Sequence, residues 1–259
     1  MVAARVTATP SETTATGDAT VRTRVQVFCD FDGTISCKDV TDELLEAFAL
    51  PEWRVIETRW RAGDIGSREC MQRQVELLRC SRKELDGLLD AVVIDPGFPD
   101  FVAACRETGV PVTVLSDGID YAIHRVLRNH GLEDLPVYAN RLRMHPDGSL
   151  GLDSPHSDPS CSPDCGTCKC ALMRRLAPPG SEKVLVGDGA SDFCAASEAA
   201  DFVLAKEALL THCHANALAH APYATFHDVQ KLLLDLERGE RAFDERPPIP
   251  AFAGYTPHG

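Results

Sequence analysis

Three things are scarce in this sequence, and each scarcity narrows its function. No apolar run approaches the length needed to span a bilayer, although 44% of the 259 residues are hydrophobic, so no membrane is expected as a partner. Cations are outnumbered: 26 Lys and Arg stand against 39 Asp and Glu, a formal net charge of −13. Binding a nucleic-acid backbone draws on clustered Lys and Arg, so no nucleic acid is expected either. A small anionic ligand stays compatible with this balance where local cations or a metal offset the field. Finally, no signal-peptide apolar core is present. The eleven cysteines, odd in number and mostly scattered, therefore read as reduced thiols of a cytoplasmic protein rather than a disulfide framework.

What is present is one pattern that recurs. Val25-Gln26-Val27-Phe28-Cys29 reads as a buried strand that ends abruptly in Asp30-Phe31-Asp32-Gly33-Thr34. The two-residue period of a strand sends Asp30 and Asp32 to one side at its carboxyl end, where open α/β sheets place ligands. Two like charges so close raise at least one pKa unless a cation lies between them. The pattern returns at Pro111 to Gly118, an apolar run ending in Ser116-Asp117-Gly118, and again at Lys183 to Asp192, ending in Gly187-Asp188-Gly189. Strands delivering polar groups to one edge, alternating with helices, predict an α/β fold: a doubly wound, Rossmann-like parallel sheet.

Between the first strand and residue 92 the apolar spacing is helical and no strand signal occurs. Asp39 to Asp42 offers N-cap residues, Glu43 to Phe48 follows a helical pattern, and Pro51 stops it. The spacing predicts an inserted helical cap over 38–92, flanked by core segments 22–37 and 93–239. Residues 1–21 are expected to form a disordered tail and 240–259 a Pro-rich loose tail. Further expectations are a helix from about Pro99 closed by Gly109, a short strand at Val137 to Asn140, and a hairpin from Leu142 to Leu152 around Pro146-Asp147-Gly148. Residues 154–170 are dense in Pro, Ser, Asp and Cys and carry no regular pattern.

Asp30-Phe31-Asp32-Gly33-Thr34, the strand ending at Ser116, Lys169, and Gly187-Asp188-Gly189-Ala190-Ser191-Asp192 stand in the order of the four motifs of the haloacid dehalogenase superfamily. The chain resembles the phosphatase branch, with a type-1 cap as in phosphoserine-phosphatase-like members. Within it, Pro51-Glu52-Trp53, Pro155-His156-Ser157, Cys161-x3-Cys165-x2-Cys168-Lys169 and Pro222-Tyr223 are similar to the 2-hydroxy-3-keto-5-methylthiopentenyl-1-phosphate phosphatases of methionine salvage. Asp117 departs from the pattern, which commonly has a small residue there.

The resemblance implies a HAD-like core and hydrolysis of a small phosphorylated metabolite through an aspartyl-phosphate, with Mg²⁺ as cofactor. It makes Asp30 the nucleophile and Asp32 the acid and base. Ser116, Asp117, Gly118 and Lys169 would hold the phosphate. Asp30, the Asp32 carbonyl and Asp188 would hold Mg²⁺, with Asp192 orienting them. Asp39 and Arg73 are the cap's candidates for the rest of the substrate. Phosphoryl transfer to an acceptor other than water, as in a phosphomutase, and a catalytically silent metabolite- or metal-binding protein remain open, as does a homodimer. His156, Cys161, Cys165, Cys168 and Cys170 lie close in sequence, and the Cys165-x2-Cys168 spacing would suit a structural Zn²⁺; small buried thiols under a loop are the alternative.

Overall fold

The computed structural model describes residues 25–243; the two tails expected at 1–21 and 240–259 fall outside these residues, apart from 240–243. Seven strands form one sheet in the order β4-β3-β2-β1-β5-β6-β7. They are β1 (Val25–Cys29), β2 (Val112–Ile119), β3 (Val137–Met144), β4 (Leu150–Asp153), β5 (Glu182–Gly187), β6 (Phe202–Ala205) and β7 (His220–Pro222). All neighbours run parallel except β3 and β4, whose antiparallel pairing makes the edge hairpin. The short strand and the hairpin's first arm, expected as separate pieces, are one strand, β3.

The first strand is central because it is buried on both faces: all five residues of β1 are buried, and the one polar side chain among them, Gln26, donates to Thr113 Oγ1 at 3.2 Å. That is what a parallel sheet covered by helices on both sides demands. Val27 pairs with Val112 of β2 on one side and Val184 of β5 on the other. The chain leaves β1 toward β2 in one direction and reaches β5 in the other, so the carboxyl ends of these three strands border a topological switch point.

Four helices lie between β1 and β2 before the first core helix: α1 (Val40–Phe48), α2 (Trp53–Arg61), α3 (Ser67–Val75) and α4 (Arg82–Leu89), then α5 (Phe98–Thr108). Their starts are written locally. Asp39 caps α1 by accepting from the Asp42 amide, and Ser81 with Glu84 closes a capping box on α4. Gly109 ends α5 in the left-handed conformation at φ 75°. Val40, Leu44, Leu45, Val75, Leu78, Leu85 and Leu89 of this helical layer join Phe98, Phe101 and Val102 of the core in one apolar cluster.

The remaining helices are α6 (Asp120–Asn129), α7 (Lys169–Leu176), α8 (Phe193–Glu198), α9 (Glu207–Ala215) and α10 (Phe226–Glu237), with one 3-10 turn at Ala190–Asp192. Lys169 is the first residue of α7 rather than a loop residue. Among the described residues no helix is long and apolar enough to cross a membrane.

Candidate active site

At the carboxyl ends of β1, β2 and β5 lies a cavity of about 360 Å³ whose floor is Asp30, Asp32, Ser116, Gly118, Asp188 and Ser191. Its far wall comes from the helical layer: Asp39, Asp42, Glu57, Trp60, Arg61, Met71 and Gln74.

Asp30 is buried, and its carboxylate is held from three directions. Its Oδ1 accepts from the Phe31 amide at 2.7 Å and from the Lys169 ammonium at 2.8 Å, while Oδ2 accepts from the Ser191 hydroxyl at 3.3 Å. Lys169, also buried, reaches Asp192 Oδ1 at 2.6 Å and Ser191 Oγ at 3.1 Å. Burial opposes the lysine's charge, but Asp192 and Asp30 outweigh it and hold the ammonium above the ordinary lysine range. On the carboxylate side, burial and then Asp30 push Asp192 up to about 7, with Lys169 pulling it back.

Asp188, at the end of β5, accepts the Thr34 hydroxyl on Oδ1 at 2.6 Å. Burial, with Asp30 adding to it, raises its pKa to about 6. Close approach here requires Gly33: its φ is +70°, and a Cβ would meet Asp188 Oδ2 at 2.5 Å. Asp32 is fixed differently, by the α1 amide of Val40 donating to Oδ1 at 2.8 Å. Desolvation, followed by the charges of Asp39 and Asp30, raises its pKa well above the carboxylate range. Gly118 gives Asp32 room, since a Cβ there would collide with Asp32 Oδ2. Asp39 is held up at about 6, mainly by desolvation.

Asp30, Asp188 and Asp192 each present an oxygen within 4.8 Å of the others, a donor set of carboxylates suited to a hard divalent cation. The oxygens of Asp192 are already engaged, by Lys169 on Oδ1 and by the Asp188 and Gly189 amides on Oδ2 at 3.3 and 3.4 Å. The set fits Mg²⁺.

Several expected residues land elsewhere. Arg73 is exposed and paired with Glu69 at 2.7 Å on its own helix, outside the cavity lining. The cavity's arginine is Arg61, the last residue of the preceding helix α2 and itself paired with Glu57 at 2.9 Å. Asp117 lines the cavity, but its carboxylate is committed to protein groups: Ser67 Oγ at 2.5 Å, the Thr167 amide at 2.8 Å and Asn140 Nδ2 at 3.0 Å. The expected zinc set does not converge. Cys161 lies within thiol hydrogen-bonding reach of Cys165 and Cys168, whereas Cys170 faces α8, with Sγ 2.9 Å from that of Cys194. The His156 ring packs edge-on against Tyr138 at 5.2 Å. Cys170 sits inside α7 rather than in the loop, so the helix turns it away from the others. Among the described residues the one thiol-containing trio within ligating range is Cys170, Cys194 and Glu198.

Ser191 and Thr34, which brace Asp30 and Asp188, are not among the residues the motif pattern singles out. Both lie inside the motif runs, so their position was a usable signal. Glu57, Gln74, Trp60 and Met71 of the far wall had none, because the packing of one helix over another leaves no local signature.

The haloacid dehalogenase-like hydrolase family model matches residues 27–197. Among curated relatives, the 2-hydroxy-3-keto-5-methylthiopentenyl-1-phosphate phosphatases of Geobacillus thermodenitrificans and Brevibacillus brevis are 34% and 32% identical to the chain. They cover 84% and 83% of it, and 99% and 97% of their own lengths. A phosphoserine phosphohydrolase-like protein from Francisella tularensis superimposes with a TM-score of 0.61 at 17% identity, covering 81% of this chain and 99% of its own. A structure described as a phospho-aspartyl intermediate analogue of phosphoserine phosphatase also gives 0.61, at 19% identity, over 82% and 99%. These two show the likeness of fold.

Proposed function

The chain belongs to the haloacid dehalogenase-like hydrolases, and on that premise we propose that it is a Mg²⁺-dependent phosphatase acting through an aspartyl-phosphate on Asp30. It is a phosphoric monoester hydrolase of small phosphorylated metabolites, as its curated relatives are named. The observation that carries the reading is the floor of the cavity: a carboxylate held by Lys169, the Phe31 amide and Ser191, beside a second carboxyl whose pKa is raised.

Each part of the reaction has a residue suited to it. Asp30 is held in place before substrate arrives, so attack on phosphorus spends no rotamer freedom at that step. Asp32, its pKa raised by burial and by the charges of Asp39 and Asp30, gives a proton to the leaving oxygen; afterwards it takes one from the water that opens the aspartyl-phosphate. Ser116, buried in the second half of β2, and Lys169 hold phosphoryl oxygens, Lys169 also offsetting the charge on Asp30. Asp30 and Asp188, with the Asp32 carbonyl, would hold Mg²⁺, and Asp192 would orient them. Bound there, the ion supplies the positive charge that lets an anionic phosphate approach an anionic nucleophile.

The core and the helical layer of residues 38–92 act as floor and cap, and the leaving group occupies the space between them. The enolphosphate in the relatives' names is the nearest model; sugar-like and nucleoside monophosphates are further candidates. Hydrolysis of an aryl phosphate tests the chemistry. It is expected to require a divalent cation and to vanish in Asp30→Asn. Activity surviving either the substitution or excess chelator contradicts the reading. A panel of phosphorylated metabolites scored for phosphate release then ranks the leaving groups.

A further inference from the structure

We propose that Asp117 is a positioning residue that latches the cap to the segment carrying Lys169, so that seating of the cap and placement of Lys169 occur together. This rests on the phosphatase reading above.

The carboxylate of Asp117 stands where three parts of the chain meet. Oδ2 accepts from Ser67 Oγ at 2.5 Å, and Ser67 is the first residue of cap helix α3. Oδ1 accepts from the Thr167 amide at 2.8 Å, two residues before Lys169, and from Asn140 Nδ2 of β3 at 3.0 Å. Asn140 Nδ2 also donates to the Asp117 carbonyl at 2.6 Å, which fixes the backbone from which the carboxylate springs. All three partners are donors. A carboxylate, with acceptor oxygens on both sides, satisfies them; an amide in its place would set an N–H₂ against a donor.

A second seam runs beside the first. The Arg68 amide donates to the Asp164 carbonyl at 2.9 Å, the Arg68 guanidinium pairs with the Asp164 carboxylate at 2.9 Å, and the Ser67 amide donates to the Pro163 carbonyl at 3.4 Å. Gly66 permits this approach, since a Cβ there would meet Asp164 Cβ at 2.7 Å. The start of α3 thus lies on residues 163–167, and Ser67, Asp117, Pro163 and Cys165 all line the cavity. A cap that lifts must release Ser67 from Asp117. The same carboxylate then holds Thr167 with one fewer constraint, and Thr167 leads directly into the helix start that aims Lys169 at Asp30.

The test is a double-mutant cycle on aryl phosphate hydrolysis, joined to amide hydrogen exchange. Ser67→Ala is expected to lower kcat by about tenfold, the worth of one hydrogen bond to a charged acceptor, and Ser67→Thr, which keeps the hydroxyl, to restore most of it. A lost substrate contact would raise KM instead. The double variant with Asp117→Asn is expected to be no slower than Asp117→Asn alone. In Ser67→Ala the amides of residues 163–168 are expected to exchange faster together with those of α3. The proposal is overturned by a Ser67→Ala kcat equal to that of the unaltered protein, by costs that multiply in the double variant, or by unchanged exchange at 163–168. If Asp117→Asn does not fold, the Ser67 pair and the exchange data still decide. If the unaltered protein releases no phosphate from any ester, the phosphatase reading fails, while exchange across the seam still reports on the latch.

Discussion

Removing the charge of Lys169 is the perturbation with the most to say about the site. Its ammonium lies between Asp30 at 2.8 Å and Asp192 at 2.6 Å, with the lysine side chain 2% exposed and the two carboxylates 5% and 0%. Lys169→Met keeps the stem and deletes the charge, leaving two carboxylates of one sign buried within 4.8 Å of a third, Asp188. Breaking a buried ion pair from one side costs about 3–5 kcal/mol, and for a chain of this size each kcal/mol lowers Tm by about 2–4 °C, so a drop of about 6–20 °C is expected. The loss has a pH signature. Asp188 and Asp192 titrate near 6 and 7 in the folded protein, above the ordinary carboxylate value, so the folded state holds protons that the unfolded chain releases. Their contribution to stability is therefore fullest in acid and declines as pH rises through 6 to 7. Lys169 holds both values down, so without it they rise and the decline extends to higher pH; the Tm gap between Lys169→Met and the unaltered protein therefore widens from pH 5 to pH 8. Thermal unfolding at several pH values, without divalent cations, measures it. A gap below about 1 kcal/mol, the range of an exposed pair, or one that does not change with pH would refute this reasoning.

Added Mg²⁺ should raise Tm little at pH 5 and more at pH 7.5, because the Asp188 carboxyl, near 6, must shed its proton before it binds a cation; thermal shift at the two pH values reads the difference. Asp32→Asn should slow esters with poor leaving groups far more than an activated aryl ester, by about 10²–10⁴ against a modest factor, since only the former need a proton in the transition state; equal losses on both would remove Asp32 from that role. Gly33→Ala should destabilise the protein and weaken Mg²⁺ binding together, because an alanine is strained in the left-handed backbone at φ +70° and its Cβ presses on Asp188 Oδ2; titration calorimetry and thermal unfolding on one sample check both.

The parts of the fold legible in the sequence were those that local pattern controls. The buried and mostly apolar β1, the Gly109 stop of α5 and the Pro51 break after α1 announced themselves, and so did the carboxyl-edge residues, because a strand ending in polar groups conflicts with its own burial unless a ligand explains it. Less visible was anything set by packing between segments. Arg73 and Arg61 both sit on amphipathic cap helices, and only the turn of one helix over another decides that Arg61 meets the cavity while Arg73 pairs with Glu69. In the cysteine loop Cys161, Cys165 and Cys168 come together, but Cys170 does not join them: α7 begins at Lys169, and its first turn swings Cys170 toward Cys194. Asp117, out of place in the motif pattern, is explained by three donors from segments distant in sequence.

The measurement closest to the central claim is capture of the covalent intermediate. Protein mixed with a reactive phosphomonoester and Mg²⁺, quenched in acid within the first turnover and digested, is expected to carry one phosphoryl group on the peptide containing Asp30, labile to base and absent from Asp30→Asn. Turnover that proceeds with no phosphoryl group on Asp30, or with the label on another residue, would contradict the account.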